Sequence, residues 1–122
     1  MARSTRTFDI RIKRVYLPAA SCDGARILVD RIWPRGLRKS EAAIERWMKD
    51  VAPSTALRRW YGHEPARWEM FRQRYRAELT GKAALVDALR KIARERPLTL
   101  VYSARDERHN QAVVLRELLL RR

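Results

Sequence analysis

The chain has 122 residues, 46% of them hydrophobic, with 28 Lys and Arg against 14 Asp and Glu and a formal net charge of +14. That length closes one core and not two, so residues 1–122 read as a single domain with 1–7 as a disordered or extended tail, and the apolar fraction excludes a wholly disordered chain. A lone cysteine, Cys22, excludes an internal disulfide; with no apolar stretch behind the basic N-terminus and no run near the roughly 18 residues of a membrane span, a cytoplasmic protein without membrane contact is expected.

Phe8, Ile10 and Ile12 alternate with Asp9, Arg11 and Lys13, the period of a half-buried strand. The phase slips before Val15 and Leu17, which predicts a bulge or bend near Arg14. Pro18 to Gly24 reads as a loop, and Ile27-Leu28-Val29 opens a second strand running toward Trp33. The connection is shorter than a parallel crossover usually takes, so an antiparallel pair is favoured. Ser40 is placed to cap a helix from Glu41 to about Lys49, with Ile44, Trp47 and Met48 on one face. Pro53 stops it, and Ser54 caps a short helix through Trp60 that Gly62 closes.

Pro65 opens the clearest helix, where Trp68, Phe71, Tyr75 and Leu79 recur at spacings of three and four. Such an aromatic stripe belongs to a core more often than to a base-stacking platform. A further helix runs from about Lys82 to Glu95, with Asp87 facing Lys91 one turn on. Leu98 to Tyr102 is a nearly continuous apolar run, as in a central strand covered on both faces. Asp106 or Asn110 then caps a last helix carrying Val113, Val114, Leu115, Leu118 and Leu119. These elements make an α/β fold: a small, layered single domain whose short mixed or parallel sheet is flanked by about five helices.

Two polar segments stand where strands end: DRIWPRG at 30–36 and YSARDERHN at 102–110. In open α/β sheets the carboxyl ends of strands open onto the binding crevice. In the first, Pro34 holds Trp33 extended and Gly36 permits a turn, so Arg31 or Arg35 beside an aromatic plane would suit a phosphate and a base. Equally, Trp33 would pack in the core and the arginines pair with Asp30 or Asp106. In the second, Tyr102 offers an aromatic surface, while Ser103, Arg105, His109 and Asn110 precede a helix whose first N–H groups would reinforce an anion site. The structural alternative gives Asp106 and Asn110 to capping, Arg105 to an ion pair and His109 to a hydrogen bond within the turn. Candidates for proton transfer are Asp30, His63, Asp106 and His109, with His63 also readable as a turn residue in a capping role. No ligand pair has a metal spacing, and there is no Gly-rich phosphate loop, nucleophile elbow or dinucleotide fingerprint, so neither metal nor cofactor is expected.

VDRIWPRG, WMKDVAPS at 47–54, WYGHEPARWEMFRQRYRAEL at 60–79 and TLVYSARDERHNQAVVLRELL at 99–119 closely resemble the YeaO-like branch of the domain-of-unknown-function 488 family. The resemblance covers nearly the whole chain from about Ile12. It implies a small α/β fold without an established reaction, and it implies that DRIWPRG, the Gly62-His63 pair and ARDERHN belong to one site.

The positive charge, carried by Arg far more than Lys, attracts polyanions, although arginines spread along a chain also suit solvated helix faces. The favoured expectation is a nucleic-acid- or nucleotide-associated protein with an Arg and aromatic anion-binding crevice. Two others stand beside it: a small enzyme acting on a phosphorylated or nucleotide-like metabolite, and a protein–protein adaptor.

Overall fold

The computed structural model describes residues 8–121, and the expected tail at 1–7 lies outside the described residues. Four strands, β1 (Ile10–Arg14), β2 (Ala25–Leu28), β3 (Arg46–Trp47) and β4 (Leu98–Tyr102), form one sheet in the order β1-β4-β2-β3. Every pairing is parallel. Around it lie α1 (Lys39–Ala42), α2 (Thr55–Tyr61), α3 (Trp68–Thr80), α4 (Ala83–Glu95) and α5 (Gln111–Leu120).

The antiparallel pairing of the first two strands is overturned, because β4 inserts between them. The short link led astray by treating consecutive strands as neighbours, a tendency that parallel sheets commonly break. Nor is there a bulge at Arg14: the register runs unbroken from Ile10↔Leu98 to Arg14↔Tyr102, and Val15 then donates to the Tyr102 carbonyl at 2.7 Å. Val15 follows the odd-numbered face, where it meets Leu28 and Val101. The apparent slip of phase is a strand with apolar neighbours on both sides.

The helix expected over 41–49 is likewise corrected. α1 ends at Ala42, and Ala43 takes left-handed backbone angles with φ 51°. The cause is tertiary: the buried Arg26 guanidinium takes the carbonyls of Ala42 and Ala43, both at 3.1 Å, which a continuing helix would need for its own ladder. The chain then turns to the sheet, where Glu45 and Met48 donate to Arg26 and Leu28 carbonyls, each at 2.9 Å. Asp87, expected to face Lys91, lies 3.5 Å from Arg90 instead.

The two faces of the sheet differ. Ile10, Ala25, Ile27, Leu98, Leu100 and Tyr102 project into the main core, against residues of α2 to α5 that include Leu57, Phe71, Tyr75, Leu89 and Leu115. The opposite face has a thinner cover: Val15, Leu28 and Val101 under Trp33, Leu37 and Ile44. Beside this patch the buried Asp23 carboxylate takes Arg26 at 2.7 Å and Lys13 at 3.1 Å, while its carbonyl accepts from Thr99 Oγ1 at 2.7 Å. Burial opposes ionisation of Asp23, but the Ala20 N–H and the Lys13 and Arg26 cations outweigh it and hold the carboxyl below its usual range. As expected, β4 is buried along its whole length.

Candidate functional site

The chain leaves β2 toward β3, whereas α5, which follows β4, packs against β1 and β4. Beyond the ends of β2 and β4 the connections therefore diverge, the place where open α/β sheets form a crevice. A cavity of about 510 Å³ opens there, lined from the β2 end by Asp30, Arg31 and Ile32 and from the β4 end by the residues from Ser103 to Asp106 and from His109 to Gln111. Ala52, Pro53, Arg58, Tyr61, His63 and Phe71 complete its wall.

Asp30 forms a buried, polar floor. One carboxylate oxygen accepts from the Ser103 N–H at 3.1 Å and the Ser103 hydroxyl at 2.5 Å, and the other accepts from Gln111 Nε2 at 2.6 Å. Burial nevertheless dominates and raises its pKa; these hydrogen bonds and the Arg58 charge offset that only in part. The main-chain carbonyl of Asp30 accepts from Trp47 Nε1 at 2.7 Å, tying the floor to the edge strand β3.

Much of the wall is held by side-chain donors to main-chain carbonyls. Arg31 gives its guanidinium to the carbonyls of Pro53 at 2.9 Å and Ala52 at 3.1 Å, Lys82 also reaches Ala52 at 3.0 Å, and the buried Tyr75 hydroxyl donates to Val51 at 2.7 Å. Ser54 caps α2 by accepting from the Leu57 N–H at 3.1 Å, and Glu78 accepts from both its N–H and its hydroxyl. This cap and the Gly62 stop of α2, with φ 53°, are those expected from the sequence. Immediately after Gly62, His63 also sits at φ 57°, a costly conformation for a side-chain-bearing residue, in the cavity wall. Tyr61 stacks on Phe71 with ring centres 4.3 Å apart and donates to the His109 carbonyl at 3.0 Å. Burial, with the Asp106 charge, pushes the Tyr61 phenol up to about 12.

At the α5 end, Asp106 accepts from the N–H groups of Arg108 at 2.9 Å and His109 at 3.0 Å and contacts His109 Nδ1 at 2.9 Å. The His109 contact and these N–H groups hold its carboxyl below the usual range. Asn110 is the helix cap, accepting from Ala112 at 2.9 Å and Val113 at 3.3 Å. The capping side chains thus occupy N–H donors that the sequence offered to an anion. The cavity lining also carries Arg58 and Arg105, both exposed and neither in an ion pair among the described residues.

Of the residues singled out in the sequence, Asp30, Arg31, His63, Ser103, Arg105, Asp106, His109 and Asn110 share this cavity. Trp33, Arg35 and Tyr102 lie outside its lining. Trp33 packs on the opposite face of the sheet and donates to the Leu37 carbonyl at 2.7 Å. Arg35 is exposed, and its carbonyl accepts from the Tyr16 hydroxyl at 2.8 Å. Tyr102 is buried in the main core, where burial and then the Glu107 charge raise its pKa. Sequence reading missed Arg58, Tyr61 and Gln111. Arg58 carried no local signal among so many arginines, whereas Gln111 stands one position past the second polar segment and Tyr61 two before His63. Among the described residues no group of three or more His, Cys, Asp or Glu side chains is placed to hold a metal ion, and no helix is long and apolar enough to cross a membrane.

A family model described as the inactive DUF488-N3 subclade matches residues 9–122. The chain is 45% identical over 111 residues to the uncharacterized protein YeaO of Escherichia coli (strain K12), spanning 91% of this chain and 96% of that protein. It is also 45% identical over 119 residues to the uncharacterized protein Rv3073c of Mycobacterium tuberculosis (strain ATCC 25618 / H37Rv), spanning 98% of each. The same figures hold for the uncharacterized protein Mb3100c of Mycobacterium bovis. No solved structure matches.

Proposed function

The chain belongs to the DUF488 family, in its inactive N3 subclade, and from that membership we propose that the crevice binds a nucleotide-like phosphorylated metabolite without turning it over. The observation that carries this reading is the pair of guanidiniums, Arg58 and Arg105, that share one cavity with a polar floor and an aromatic wall. Arginine's planar fork suits phosphate oxygens. The Asp30, Ser103 and Gln111 floor offers sites for sugar or base hydrogen bonds, and Phe71, Tyr61 and Ile32 supply apolar area for a ring. The volume, about 510 Å³, is that of a small-molecule site. Binding is favoured over reaction by the subclade's description as inactive and by the state of the acids: both oxygens of Asp30 and both of Asp106 already accept hydrogen bonds.

Calorimetry with the four ribonucleoside monophosphates, ribose 5-phosphate and inorganic phosphate tests the reading. At least one nucleotide should bind more tightly than phosphate alone, and Arg105→Ala or Arg58→Ala should weaken it by about tenfold, the loss of one charge-assisted hydrogen-bonding partner. Failure of every nucleotide to bind, or affinity indifferent to both substitutions, removes the proposal.

One observation favours a second reading, a small phosphate-ester enzyme. His109 is oriented through Nδ1 by Asp106, which leaves Nε2 to take a proton as a general base. Product analysis after prolonged incubation separates the two, since turnover abolished by His109→Ala would establish the enzyme.

A further inference from the structure

The stretch 58–74, which runs from α2 through the turn of 3-10 helix at Pro65–Arg67 into α3, carries five arginines against two glutamates. One of those acids, Glu69, is already paired with Arg72 at 2.9 Å. Trp60 stands among the arginines, half-buried, with the Arg74 guanidinium over its ring at 4.3 Å and that of Arg67 at 5.5 Å. Arg67 spends one N–H on the Trp60 carbonyl at 2.5 Å. The Arg74 guanidinium makes no hydrogen bond or ion pair among the described residues. A guanidinium resting on an aromatic ring is held in place by its face, so its in-plane donors stay free for phosphate at little further entropic cost. Arg58, the neighbour of Arg59 in α2, lines the cavity.

We propose that this face of α2 and α3 is a track for single-stranded nucleic acid, with the phosphates on Arg59, Arg67 and Arg74 and one nucleotide delivered past Arg58 into the cavity. The inference rests on the nucleotide reading of the cavity for its end point, while the track stands on Trp60 and its two arginines. An unpaired strand is specified because a duplex keeps its bases stacked inside, and only a splayed nucleotide can enter a crevice.

The test is fluorescence anisotropy with labelled RNA and DNA oligomers of about twelve nucleotides, single-stranded and duplex, at about 50 and about 200 mM salt. Single strands should bind more tightly than duplex, and the RNA and DNA arms decide which sugar is preferred. The exposed double variant Arg67→Ala/Arg74→Ala should weaken single-strand binding by about tenfold or more and reduce the salt slope by about 1.4, two phosphate contacts at about 0.7 each. Its affinity for a mononucleotide should be unchanged, whereas Arg105→Ala should weaken both ligands. A charge-matched control, Lys39→Ala/Arg46→Ala, removes cations from α1 and β3 and should leave oligomer binding nearly intact. Equal losses in the control and the track variant, equal affinity for duplex, or an acidic peptide that competes as well as the oligomer would overturn the track. Mononucleotide binding that survives those results leaves the cavity reading standing; oligomer binding through Arg67 and Arg74 without mononucleotide binding sinks the cavity reading alone.

Discussion

Asp30 is the residue at which charge and hydrogen bonding pull against each other. Its oxygens accept three donors from Ser103 and Gln111, yet burial raises its pKa, so folding disfavours the ionised form. A carboxyl whose folded pKa lies above its unfolded value contributes stability that is fully present below the unfolded pKa and lost as pH rises through the folded one. Asp30→Asn has no such dependence, and Gln111 can turn its amide to accept from the new one. Urea denaturation at pH about 4 and about 7 should therefore show the Asp30→Asn variant gaining stability relative to wild type as pH rises. Asp30→Ala should cost about 2 kcal/mol, because buried donors lose their acceptor. A stability difference between wild type and Asp30→Asn that stays flat across that range would contradict the raised pKa. Asp30 was legible in the sequence as a carboxylate at the end of an apolar run. Arg58 was not, since nothing local separates it from the other arginines; only the packing of α2 beside the sheet brings it to the crevice.

At the scale of elements, two glycines with similar φ carry different burdens. Gly24, entering β2 at φ 66°, has no room for a side chain: a Cβ there would lie 2.2 Å from the Pro97 carbonyl oxygen, on the chain entering β4. Gly62, ending α2 at φ 53°, has its nearest such contact at 3.6 Å. Gly62→Ala should cost only the left-handed strain, about 1 kcal/mol, whereas Gly24→Ala adds a backbone clash between β2 and β4 and should cost more than about 3 kcal/mol. Chemical denaturation of the pair ranks them, and equal losses would refute the steric argument. Helices with local signals were readable: Ser54 and Gly62 bound α2, and Asn110 caps α5, all by contacts within a few residues. The 41–49 segment was misread because its fate is set by Arg26, distant in sequence, which claims the carbonyls of Ala42 and Ala43. Sheet order was hidden for a related reason. β4 pairs with β1 and β2 across intervals that no periodicity spans.

For the whole molecule the relevant quantity is a net charge of +14, from 28 Lys and Arg against 14 Asp and Glu. Asp9, Asp23, Glu45, Glu69, Asp87 and Glu117 each already hold a cation, so the remaining arginines and lysines repel one another across a small globule. Self-repulsion of this kind destabilises the compact state, and salt screens it with a Debye length of about 10 Å at 0.1 M. The thermal midpoint should accordingly rise by a few degrees between about 20 and about 200 mM sodium chloride. Phosphate at equal ionic strength should raise it further, because an anion bound only by the folded state adds mass-action stability. General exclusion of phosphate from protein surfaces also stabilises, and it acts on any variant alike. The double variant Arg58→Ala/Arg105→Ala distinguishes the two: it should keep the chloride response and lose most of the phosphate excess. A midpoint that falls with chloride would show that repulsion is not limiting. A phosphate excess preserved in the double variant would move the anion site away from the crevice between β2 and β4, where Arg58 and Arg105 meet the buried Asp30 floor.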